Sequence, residues 1–172
     1  MFTQVITHTP VWVWILLAAL VALGWSQTRD RTVSLKRVTI LPLIMIAFSA
    51  SNVLQNASGH PGLLFAWAIA CLTLAAAVMQ IPLSLKTRYH AESGMLTVAG
   101  SWVPMTLILT IFVGKYVLAI FTAMQPEIGS STGFMTISAL VFGALSGIFL
   151  GRAARLWKYV ANVKTPQALQ AI

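Results

Sequence analysis

The chain has 172 residues, of which 58% are hydrophobic and 8% charged, and it carries a formal net charge of +8. A soluble domain places charge at about a quarter of its positions, so this composition excludes that class and points to a membrane protein. The basic residues sit in short clusters between apolar runs, with no continuous stripe and no interleaved aromatic motif, which argues against nucleic acid as a partner.

A spanning helix needs about 20 largely apolar residues. The apolar runs predict five of them, at 11–26, 38–56, 62–84, 101–124 and 133–152, in a single domain over 1–160 followed by a short cytoplasmic tail over 161–172. The fold class expected is therefore all-α, a polytopic transmembrane bundle of five helices. The first run is preceded by "MFTQVITHTP", which lacks lysine and arginine, while the basic cluster follows it; this polarity fits a retained, reversed anchor rather than a signal peptide. Pro42, Pro82 and Pro104 fall near segment ends, where a lost backbone bond is easiest to replace.

Loop charges alternate. "SQTRDRTVSLKR" holds Arg29, Arg31, Lys36 and Arg37; "NASGHPG" holds no lysine or arginine; "KTRYHAESG" holds Lys86 and Arg88; "QPEIGSSTG" holds only Glu127; the C-terminal region holds Arg152, Arg155, Lys158 and Lys164. Because basic loops stay on the cytoplasmic side, the N-terminus is expected outside and the C-terminus inside. Trp12, Trp14, Trp25, Trp102 and Trp157 lie near the expected interfaces, where an amphipathic ring is favoured. Arg29, Arg31, Lys36, Arg37, Arg152 and Arg155 form a basic cytoplasmic cluster suited to anionic lipid.

In the second run Ser49, Asn52 and Asn56 follow helical spacings of three and four and share one face. The fourth run contains Lys115 within "IFVGKYVLAIF", without an acidic residue in the same segment. Counting from Met124, its backbone lies roughly 14 Å below the outer boundary, too deep for full snorkelling. An intramembrane cation is a functional hypothesis by default, and an outward-facing polar pocket holding Lys115, Asn52, Ser49 and Asn56 as ligand-binding residues would hydrate it. In the fifth run Gly143, Gly147 and Gly151 repeat every four residues and make a helix-packing face, for another helix of this chain or for a homo-oligomer.

Enzyme chemistry finds little footing. Asp30, Glu92 and Glu127 are the acidic residues and all fall in loops, so no paired carboxylates are available for acid–base work and no catalytic residue is assigned. His8, His60 and His90 lie outside the runs, so a haem held between two histidines within the bundle is not expected, nor is a metal site or any other cofactor. Cys71 is the single cysteine, which excludes an intramolecular disulfide.

The stretches "GWSQTRDRTVSLKRVTILPLIM", "AGSWVPMTLILTIFVGKY" and "GIFLGRAARL" resemble an uncharacterised family of five-helix proteobacterial inner-membrane proteins. A looser similarity is to CcdC-type membrane proteins, which share a basic loop followed by a proline near the start of the second helix. The resemblance implies a multi-pass protein of the bacterial inner membrane, a recurring basic residue before Tyr116, and a fourth helix opened by Gly100, Ser101 and Trp102. CcdC-type proteins are associated by name with cytochrome c biogenesis, whereas this chain holds no Cys-x-x-Cys motif. The expected function is a small permease or ligand-binding membrane protein built around Lys115. The alternative is a non-transporting scaffold or assembly factor that binds partner proteins or anionic lipid.

Overall fold

The computed structural model describes residues 10–56, 59–90 and 93–170, with the side chains of Asn52, Asn56 and residues 164–170 outside that description. In chain order the elements are α1 (Val11–Ser26), β1 (Arg31–Ser34), α2 (Leu35–Asn56), α3 (Gly62–Gln80), β2 (Arg88–His90), β3 (Met95–Val98), α4 (Val103–Met124), the short α5 (Pro126–Gly129) and α6 (Thr132–Gln170).

Local chemistry sets several boundaries. Pro10 precedes α1 in an extended conformation, and Pro104 stands in the first turn of α4, where its missing N–H costs nothing. Helix α3 stops at Gln80, short of the expected 84, because Ile81 is held extended by the proline that follows it. Pro42 falls inside α2, which stays helical through it.

Two expectations are corrected. The all-α reading omitted a three-stranded antiparallel sheet in the order β1-β3-β2, with Val33 opposite Leu96 and Tyr89 opposite Leu96 on either side of the central strand. Gly94 turns β2 into β3 at a φ of 63°, a conformation open to glycine and strained for residues with a Cβ. The last helix, expected over 133–152 with a tail from 161, instead runs through "RAARLWKYVANV" to Gln170. Hydropathy falls after Arg152, but helix propensity does not, and buried Ala153 and Val160 keep one face packed.

Glycine contacts fix the central helix pair. A Cβ placed on Gly143 would fall on the Trp67 carbonyl oxygen, one on Gly147 on that of Cys71, and one on Gly151 would press on Ala75 and Val78. Advancing in step along both chains, these contacts make α3 and α6 a parallel pair at close backbone approach. A cluster of Leu20, Met45, Leu107, Ile108, Ile111, Phe112, Phe142 and Phe149 ties α1, α2, α4 and α6 together.

The sheet marks one end of the bundle. There Ser101 donates its amide to the Gln27 carbonyl, Trp157 Nε1 donates to Thr39 Oγ1, and Arg155 donates to the Ile81 carbonyl. Val53, Leu63 and Ala139 form a smaller cluster at the other end. Exposed large apolar side chains occur along the helices, among them Ile15, Leu43, Ile44, Phe65, Ile69, Leu72, Val113, Val117, Ile137 and Val141, an outward-facing apolar belt that lipid would cover. Among the described residues, Gly62–Gln80, Val103–Met124 and Thr132–Val163 are long and apolar enough to cross a membrane, and Val11–Ser26 is a shorter apolar helix.

Candidate functional site

Lys115 lies on the buried stripe of α4 with Ile108, Ile111 and Phe112, and is itself 9% exposed. Its Nζ donates to Ser51 Oγ at 3.0 Å and sits 5.4 Å from the ring centre of Phe48 and 5.1 Å from that of Phe142. Each ring face attracts a cation by about 0.5 to 2 kcal/mol, depending on desolvation. Ser51 also donates to the Phe48 carbonyl at 2.8 Å, so its hydroxyl keeps a partner even without the lysine.

The expected companions of Lys115 separate. Ser49 is fully buried, donates to the Phe142 carbonyl at 2.8 Å and accepts from Trp67 Nε1 at 3.2 Å, so it locks α2 to α6 and α3. Lys115 and Ser49 thus meet the same residue, Phe142, one through its ring and the other through its carbonyl. The side chains of Asn52 and Asn56 lie outside the described residues. Sequence reasoning missed Ser51, Phe48 and Phe142. Ser51 differs from Ser49 by two residues, about 200° around the helix, and only knowledge of which face meets α4 selects it.

A cavity of about 580 Å³ opens at the end of the bundle away from the sheet. Gln55, His60, Thr122, Ser130 and Ser138 give its wall polar groups, and Phe142 and Ala119 bring that wall to the neighbourhood of Lys115. Among the described residues, no group of three metal-ligating side chains comes together.

The basic cluster divides at the sheet end. Arg29, Lys36 and Arg37 are exposed, whereas Arg31 and Arg152 are half-buried. Arg31 donates to Gln27 Oε1 at 3.0 Å, and Arg31, Arg37, Arg152 and Gln27 line one cavity of about 70 Å³. Burial, and next the charge of Arg37, lower the pKa of Arg31. Asp30 is engaged elsewhere: its carboxylate accepts the Gly100 amide at 2.7 Å and faces Lys86 Nζ at 3.5 Å. The Gly100 amide first, and the Lys86 charge second, hold that carboxyl below the usual carboxylate range. A Cβ on Gly100 would fall on the Thr28 carbonyl, so the α1–β1 and β3–α4 connections are stapled at backbone distance.

Helices of this length and hydropathy, outward apolar side chains and polar groups gathered at the two ends define a helical membrane protein. The chain matches the family described as "Family of unknown function (DUF6622)" over residues 1–167, and it belongs to that family. It is also 35% identical over 57 residues to the uncharacterized protein PM0739 of Pasteurella multocida (strain Pm70), an overlap of 33% of this chain and 43% of that relative. No solved structure matches it.

Proposed function

We propose that this is a five-span protein of the bacterial inner membrane, N-terminus outside and C-terminus cytoplasmic, that binds a small polar or anionic ligand in its outward cavity. The observation that carries this reading is a cavity of about 580 Å³ whose wall shares Phe142 with the buried ammonium of Lys115. Sites of that volume, mostly apolar with a few convergent polar groups, are typical of small-molecule binding. Lys115 supplies attraction for an anionic or carbonyl-bearing group, and Ser138, Ser130, Gln55 and His60 supply hydrogen bonds. Transport would require the cavity to open alternately to both sides; binding requires only the outward opening.

A second reading, the non-transporting scaffold, draws on a different fact: Lys115 already has Ser51 and two aromatic rings around it. In that case the lysine braces α4 against α2 and α6, and partners are held by the basic loops. The CcdC-type likeness belongs with this reading, as an assembly role at the membrane.

The two separate without knowledge of the ligand. A Ser138→Cys variant in a Cys71→Ser background would be treated in spheroplasts with anionic and cationic methanethiosulfonates. On the ligand-binding reading both reagents enter from outside, and Lys115→Met lowers the anionic-to-cationic rate ratio roughly 3- to 10-fold by removing a nearby positive potential. An unreactive cysteine, or a ratio unmoved by Lys115→Met, favours the scaffold.

A further inference from the structure

Three arginines at the sheet end converge on one small space. Arg31 reaches it from β1, Arg37 from the first turn of α2 and Arg152 from α6, and among the described residues no carboxylate lines that space. Like charges brought together in a partly buried place repel, and packing and the bond from Arg31 to Gln27 Oε1 hold them there unless an anion joins them. The nearby carboxylate of Asp30 is turned to the Gly100 amide and Lys86.

Gln27 supplies an independent sign of a missing partner. It is 6% exposed and lines the same cavity; its Oε1 accepts from Arg31, while its Nε2 is buried with no hydrogen-bond acceptor. A buried amide N–H₂ left unpaired costs roughly 1 to 3 kcal/mol, so an acceptor placed in the cavity would recover that loss. Everything unsatisfied here is therefore a donor or a positive charge. Helices α2 and α4 also begin at this wall, through Arg37 and Pro104, and their N-terminal partial charges add to the same potential.

Size and residue type narrow the anion. About 70 Å³ is several times the ~10–15 Å³ that one water needs, and it suits a tetrahedral oxyanion. Guanidinium forks match phosphate oxygens in pairs, which a compact ammonium cannot do. A second cavity of about 230 Å³ shares Ser101, Val98 and Arg152 in its wall, leaving space for whatever the phosphate is attached to. We propose that the cavity framed by Arg31, Arg37, Arg152 and Gln27 binds a phosphate group, presented either by an anionic phospholipid headgroup or by a soluble phosphate. The site stands independently of the outward cavity and of Lys115.

The test uses the full-length purified protein in neutral detergent, with tryptophan fluorescence following thermal unfolding. One arm adds sodium phosphate against sodium chloride at equal ionic strength; the other adds phosphatidylglycerol against phosphatidylcholine. At least one phosphate source raises the midpoint by about 2 °C or more over its control, through preferential binding to the folded state. A rise with phosphatidylglycerol alone assigns the headgroup, and a rise with inorganic phosphate assigns the soluble anion. Arg31→Gln and Arg37→Gln each remove most of the rise, while Lys158→Gln, at an exposed lysine outside the cavity, keeps it. Arg37 is exposed, so its variant remains informative if Arg31→Gln folds poorly. No rise from either source, or an undiminished rise in both arginine variants, overturns the proposal.

Discussion

Lys115 is the residue on which sequence and structure bear most differently. Helical spacing puts it on one face with Ile108, Ile111 and Phe112, yet neither the burial of that face nor the partners of the lysine can be read from spacing. The spacing of Ser49, Asn52 and Asn56 marks a polar face of α2, but which face turns to α4 depends on how α2 is clamped by Ser49 against Phe142 and Trp67. That information is tertiary. Lys115→Met replaces a buried ammonium by an apolar chain of similar length and leaves Ser51 bonded to the Phe48 carbonyl, so the unfolding midpoint should stay level or rise. A fall worth more than about 2 kcal/mol would instead assign the lysine a bracing role through its hydrogen bond and two ring contacts. Asp30 gives a pH signature at the other end. Its folded pKa is depressed below the ordinary carboxylate value, so its contribution is complete above that ordinary value and is lost as pH falls through the folded one. Between pH 5 and about 3 the wild-type midpoint should decline more steeply than that of Asp30→Asn; parallel curves would remove the staple from the account.

At the scale of elements, helix starts and stops are written locally and pairings are not. Pro10 and Pro82 bound α1 and α3 through backbone restrictions any reader of the sequence can apply. The four-residue β1 pairs with β3 across more than sixty residues, and strands that short carry no periodicity to read. Hydropathy also misplaces the end of α6, because it registers the membrane boundary and not the end of the helix: 39 residues make a rod of roughly 58 Å, far longer than a bilayer core. The glycine repeat shows the same division, since its spacing reveals a close-packing face while α3 as its occupant appears only in the fold. Gly147→Ala would drive a Cβ into the Cys71 carbonyl and should cost roughly 1 to 3 kcal/mol, read as a lower unfolding midpoint or folded yield in mild detergent. Gly133→Ala, in the open first turn of the same helix, should be neutral or slightly stabilising. Equal effects at the two positions would contradict the parallel α3–α6 contact.

The whole molecule has two chemically different ends. One carries the cavity beside Lys115, which on the proposed topology opens outward; the other carries the sheet, the arginine cavity and the C-terminal half of α6. The loops holding Arg31 and Arg88 join in one sheet and so lie on one side of the membrane together, which the proposed topology makes the cytoplasmic side because basic loops are retained there. Single cysteines at Ser131 and Ser93, each in a Cys71→Ser background, decide the matter, because both positions are exposed and they sit at opposite ends. An impermeant maleimide added to intact spheroplasts should label the cysteine at 131 and leave that at 93 unlabelled until the membrane is opened. Labelling at 93 with protection at 131 would put the Lys115 cavity in the cytoplasm and contradict the central claim.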